Sequence, residues 1–126
     1  MKTPLHEYVK IDKQLYRQYE ESQANIDLIA KVRTAAPKIH VVVASRTTCG
    51  DCVRNIPQMT RISEHLPSWT WDIFPEANRE RMESLNVVAV PTFILYAEEG
   101  SKEIGRIIEN PVSESLEQDL LKIVSK

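Results

Sequence analysis

Apolar residues along the chain recur either at helical spacing or in short β-rich runs, and the two patterns alternate. Leu5, Tyr8, Val9, Leu15, Tyr16 and Tyr19 predict a helix from Leu5 to about Tyr19. A second helix is expected from about Asn25 to Ala35, with Ile26, Ile29 and Val32 aligned, and Pro37 ends it by pushing the residue before it out of helical geometry. Ile39-His40-Val41-Val42-Val43-Ala44 is too short for a buried helix and rich in β-branched residues, so it reads as a central strand covered on both faces. From Gly50 to Leu66, Val53, Ile56, Met59, Ile62 and Leu66 mark a helix kinked at Pro57. Trp69 to Phe74 reads as a strand, and Glu76 to Ser84 as a helix with Met82 and Leu85 facing inward. Thr92 to Ala97 and Glu103 to Ile108 are two more strands, made antiparallel by the turn Glu98-Glu99-Gly100-Ser101. Ser113 is read as the cap of a last helix carrying Leu116, Leu120 and Val124 on one face.

The 126 residues, 42% apolar and 27% charged, fit one globular domain able to bury a core without disulfide staples. A net charge of -2 supplies no basic surface, which argues against nucleic acid or an anionic membrane as partner. The opening Met1-Lys2-Thr3-Pro4-Leu5-His6-Glu7 lacks the apolar run of a signal peptide, and no stretch approaches the roughly 20 apolar residues of a membrane span. A cytoplasmic, reducing compartment is therefore expected. Against that background the two cysteines stand out, in Cys49-Gly50-Asp51-Cys52, where the predicted central strand hands over to a helix. So short a loop restrains little of the unfolded chain, which makes a structural disulfide a poor explanation.

Three readings of the pair compete. His65 lies downstream as a third ligand would in a zinc finger, but no second histidine follows at the required spacing, so no metal or other cofactor is expected. Two buried core thiols are a second reading, since free cysteine packs as a small hydrophobe, and the intervening glycine and aspartate argue against it. The third is redox chemistry. At the first turn of a helix, unpaired N–H groups and the positive end of the helix dipole favour a thiolate on Cys49, making it the nucleophile. Cys52, one turn further in, is on the same face, more sheltered, and placed to resolve a mixed disulfide.

These residues resemble the thioredoxin family over about Ile39 to Val124: the apolar strand, Cys49-Gly50-Asp51-Cys52, Pro57 in the following helix, Val90-Pro91-Thr92 opening a strand, and Gly105 in the last strand. The resemblance implies an α/β, thioredoxin-like fold, a central mixed four-stranded sheet flanked by helices. One domain over 1–126 is expected, with 1–37 a helical N-terminal extension and 38–126 the thioredoxin-like core. It further implies a cis Pro91 beside the cysteines, with the backbone of Val90 pairing with an extended substrate segment. Taken alone, Pro91 reads equally as an ordinary proline at a strand start.

Three departures from the family pattern bear on function. The buried aspartate that assists the resolving thiol is replaced by Val43; the aromatic residue before the first cysteine is Thr48; and helices stand where a first strand is usual. Asp51 either tunes the redox pair together with Gly50 or serves only as an acid in the first helical turn, and the flanking Arg46 and Arg54 read as solvated charges. The expected activity is thiol-disulfide exchange that reduces protein disulfides through Cys49 and Cys52. Its partners would be disulfide-containing proteins and a recycling reductant or reductase. A thioredoxin-fold binding module and a redox sensor without efficient turnover are the alternatives.

Overall fold

The apolar run at the centre of the chain becomes strand β1 (His40–Ser45), buried at every position, and the other strands are laid out around it. The computed structural model describes residues 3–126; Met1 and Lys2, within the opening segment read above, lie outside the described residues. Among the described residues the order is α1 (Pro4–Lys10), α2 (Lys13–Glu21), α3 (Ile26–Ala35), β1, α4 (Gly50–Ser63), β2 (Thr70–Pro75), α5 (Arg79–Ser84), β3 (Thr92–Tyr96), β4 (Glu103–Ile108) and α6 (Leu116–Val124). The sheet order is β2-β1-β3-β4. β1 runs parallel to β2, with Val43 opposite Ile73, and antiparallel to β3, with Val43 opposite Phe93. β3 and β4 are antiparallel, joined by a turn in which Gly100 takes φ +81 and the Ser101 N–H donates to the Glu98 carbonyl at 3.0 Å. This is the expected mixed four-stranded sheet, and β1, with partners on both edges and side chains buried on both faces, is its rigid centre.

Pro57 lies buried inside α4 and withholds the N–H that the Val53 carbonyl would otherwise receive. Ile56, Met59 and Ile62 of the same helix are fully buried, each worth about 1.5–3 kcal/mol of apolar transfer. Gly105 in β4 is required by packing: a Cβ there would stand 2.8 Å from Cγ2 of Ile123 in α6.

Four sequence expectations are corrected. The helix expected from Leu5 to Tyr19 is two, because the Asp12 carboxylate accepts the N–H groups of Gln14 and Leu15 (2.9 and 3.1 Å) and starts α2 afresh. Tyr16 and Ile26 are exposed, Ile26 because the step of three from Ile26 to Ile29 to Val32 drifts around the helix. α5 begins at Arg79, capped by Asn78. α6 is capped by Ser115, whose side chain accepts from Gln118; Ser113 instead donates its N–H to the buried Asp119 carboxylate (2.9 Å), as Val112 does at 2.8 Å, and its hydroxyl points to the same group.

The two N-terminal helices pack on α4 and are tied to its end by one carboxylate. The Thr3 N–H donates to Nδ1 of buried His6 (2.8 Å), which leaves the proton on Nε2, 2.9 Å from Glu64 Oε2. The Tyr19 hydroxyl donates to the same oxygen, and Arg61 stands 3.4 Å from Oε1 and over the Tyr19 ring. Burial alone would raise the Glu64 carboxyl; donors from Tyr19 and His6 and the Arg61 charge outweigh it and hold the group below its ordinary 4.5. Burial and the Glu64 bond push the Tyr19 hydroxyl up to about 12.

A group depressed on folding stabilises the fold above its unfolded value and loses that contribution as pH falls through the folded one. Glu64→Gln should therefore cost about 1.5–3 kcal/mol in urea unfolding at pH 7, the range for hydrogen bonds to a charged group. The gap to the native chain should close on acidification below 4.5. A gap that stays constant with pH would contradict the pinning role.

Candidate functional site

The hand-over from β1 to α4 places the two cysteines. β1 ends at Ser45, Arg46 to Thr48 turn the chain, and Cys49 occupies the cap position of α4 with extended backbone (φ -81, ψ 131). Its sulfur fills the role that a serine or aspartate oxygen fills elsewhere: Sγ accepts the Cys52 N–H at 3.2 Å. The helix thus begins on a sulfur, where backbone donors and the helix dipole both favour negative charge.

Both cysteines are free thiols, and they differ in setting. Cys49 keeps 9% of its surface exposed and Cys52 none. Burial, and after it the hydrogen bond to Cys49, pushes the Cys52 thiol up to about 12, so it is protonated at neutral pH. Cys49 is thus less open than a residue at a helix end would suggest, because a second loop lies across it.

That loop carries Val90 and Pro91. The Val90–Pro91 bond is cis, both residues are buried, and the Cys49 thiol donates to the Val90 carbonyl at 3.4 Å. A third loop closes the arrangement: the Glu109 N–H donates to the Pro91 carbonyl at 2.7 Å, with Glu109 itself at φ +65. Asn55, buried in α4, holds this loop by sharing its amide N–H groups among the carbonyls of Asp51 (2.9 Å) and Glu109 (3.0 Å) and Oδ1 of Asn110 (3.0 Å). Cys49, Cys52, Val90 and Pro91, far apart in sequence, are therefore brought together, and Asn55 sets the position of the third loop.

Gly50 is exposed and has open space around its Cα, so packing does not dictate its identity. The Asp51 carboxylate is paired with Arg54, and Arg46 with Glu76 at 3.0 Å. The two arginines read as solvated charges are thus partners of acids at the site rim, and Arg54 offsets the charge of Asp51. Thr48 is exposed, and Val43 is fully buried. Among the described residues no three His, Cys, Asp or Glu side chains converge as metal ligands, and no helix is long and apolar enough to cross a membrane.

Three contributors escaped the sequence reading. Asn55 carries a weak signal, an amide at a buried helical position that needs partners. Tyr8 was assigned to the core face of a helix and Ser45 lay just past the predicted strand, yet Tyr8 feels the charge of Cys52 and Ser45 acts on it.

The fold and this geometry agree with comparisons to known proteins. A family model described as Thioredoxin matches residues 1–118. Among solved structures, a Pseudomonas aeruginosa protein of unknown function superposes with TM-score 0.71 at 17% identity, covering 88% of this chain and 81% of that one. Thioredoxins from Trypanosoma brucei brucei (TM-score 0.57, 21% identity, 83% and 90% covered) and Fasciola hepatica (0.55, 22%, 79% and 89%) share the fold. No curated protein matches the chain. The chain belongs to the thioredoxin family, with a C-x-x-C pair at the start of α4. The match includes α1 to α3, so the N-terminal helices lie within the family region and the resemblance is wider than the span from Ile39.

With 9% of Cys49 exposed against none of Cys52, and Cys52 protonated, limited iodoacetamide at pH 7 should label Cys49 well before Cys52 in peptide mass maps. Cys52 labelling should rise only as pH climbs toward its raised value. Equal labelling of the folded chain at neutral pH would overturn the asymmetry.

Proposed function

We propose that the protein reduces disulfides in other proteins by thiol-disulfide exchange, with Cys49 attacking and Cys52 resolving. The observation that carries this reading is the Cys49 sulfur at the cap of α4, in a residue that keeps 9% of its surface exposed, one turn from a fully buried thiol. A thiolate there gains the Cys52 N–H and the helix end. It attacks a partner disulfide, one partner sulfur leaves, and Cys49 is held in a mixed disulfide. Cys52 then attacks Cys49, expels the second partner sulfur and closes the Cys49–Cys52 disulfide, which a recycling reductant or reductase reopens.

Val90 and Pro91 are the substrate-binding part of the proposal. In the free dithiol the Val90 carbonyl is occupied by the Cys49 S–H. Once that proton is gone the carbonyl is free to accept an N–H from an extended partner segment lying along the loop. Gly50 and Asp51 act as redox-tuning residues, Asp51 weakly because Arg54 stands on its carboxylate. A dithiol that must be kept reduced fits the cytoplasm.

Trapping tests the reading. Cys52→Ser should accumulate mixed disulfides with lysate proteins, released by reductant, because attack survives and resolution does not. Cys49→Ser should trap almost none, and only the native chain should catalyse reduction of insulin disulfides. Partners retained by both variants without a covalent bond would indicate a binding module. Redox-dependent binding without turnover would indicate a sensor.

A further inference from the structure

The exchange proposed above requires Cys52 to lose its proton inside the protein. Its thiol is fully buried, and Val43 offers no carboxylate beneath it. The groups around Cys52 come from three elements. β1 and the residue after it supply the Ser45 hydroxyl and the main-chain N–H of Arg46, both of which favour the thiolate; the cap of α4 supplies Cys49, which disfavours it. α1 supplies Tyr8, whose hydroxyl burial first of all raises and which feels both cysteines and Asp12.

Ser45 is the unusual member of this set. It is 0% exposed, and Oγ has no hydrogen-bond partner among the described residues, a costly state for a buried hydroxyl. It lines one pocket with Tyr8 and is near enough to the Cys52 thiol and the Tyr8 hydroxyl to favour the ionised form of each, without being bonded to either at rest. Beyond it a pocket of about 350 Å³ is lined by Tyr8, Ser45, Arg46, Thr47, Glu76 and Arg79. Its rim charges are compensated in part, Glu76 by Arg46. The pocket thus brings solvent to the half-buried Tyr8, with Ser45 behind it at the pocket wall.

We propose that Ser45 and Tyr8 form the proton exit of Cys52. Resting on the exchange described above, the relay runs in one direction during resolution. The Cys52 S–H passes its proton to Ser45 Oγ, the Ser45 O–H passes its own to Tyr8 Oη, and Tyr8 releases one to solvent in the pocket. The freed electron pair on Cys52 forms the bond to Cys49 Sγ. The bond from Cys49 to the partner sulfur breaks, and that sulfur departs with its electron pair and takes a proton from solvent. Two electrons move from the dithiol to the partner, and no proton is lost from the balance. α1 thereby acquires a task in the chemistry, holding Tyr8 against the end of β1.

The reduced protein mixed with one equivalent of an aromatic disulfide, whose thiolate absorbs visible light, separates the steps in stopped flow. The first thiolate reports attack by Cys49 and the second reports resolution by Cys52. Ser45→Ala should leave the first phase intact and slow the second about tenfold at neutral pH, its pH profile displaced upward by about one unit. Tyr8→Phe, which keeps the ring, should slow the second phase in the same direction and decides the matter alone if Ser45→Ala does not fold. Second phases of folded variants that match the native chain in rate and pH profile would overturn the relay. A native chain that releases only the first thiolate would instead overturn the exchange on which it rests.

Discussion

A single donor-acceptor contact organises the site: the main-chain N–H of Cys52 donates to the sulfur of Cys49. It makes a cysteine the cap of α4, so the helix cannot start without placing that sulfur among its free N–H groups. The same contact fixes Cys52 one turn inward, beneath the first thiol and out of solvent. The sheet serves this arrangement, since β1 delivers the chain to the cap and β3, beside it, begins at the Pro91 loop whose neighbour Val90 accepts from the Cys49 thiol. A sulfur near the surface of the cap and a fully buried, protonated one are consequences of this placement.

Around that contact the molecule is held by polar side chains acting between elements. Asn55 joins α4 to the loop after β4, Asp119 fixes the turn before α6, and Glu64 gathers His6, Tyr19 and Arg61 at the far end of α4. α4 is therefore secured at both ends, near the cysteines by Asn55 and at its C-terminus by Glu64. Such buried networks are effective only when satisfied, because an orphaned polar group costs more than a paired one gains. Among the described residues Ser45 Oγ and Trp71 Nε1 are buried without a partner, and the place of Ser45 beside Cys52 gives its orphaned hydroxyl a chemical reason.

The sheet was legible because its strands carry their own signals: a β-branched run for β1, a glycine turn between β3 and β4, and Gly105 where Ile123 presses on the sheet. The cysteine pair was legible for the same reason, since a short motif at a strand-to-helix junction is local. What escaped depended on which polar side chain finds which partner, near in sequence or across the fold. The break at Asp12 was hidden because apolar positions continue on both sides of it, and only the capping carboxylate divides them. Ser113 and Ser115 are equally good caps on paper; the buried Asp119 decides between them by claiming Ser113. Asn55, Tyr8 and Ser45 look ordinary in sequence because each acquires its role from a residue in another element, Asn55 from Glu109 and both Tyr8 and Ser45 from Cys52.

The central claim is that Cys49 and Cys52 act as one two-electron unit. Equilibration of the protein in dithiothreitol redox buffers, with free thiols counted by a mass-adding alkylating reagent, addresses it directly. The account predicts that both thiols disappear together along a two-electron curve, tenfold in equilibrium constant per about 30 mV, with the Cys49–Cys52 peptide recovered as an internal disulfide. Thiols that stay reduced across the whole range, or that are lost one at a time, would contradict it.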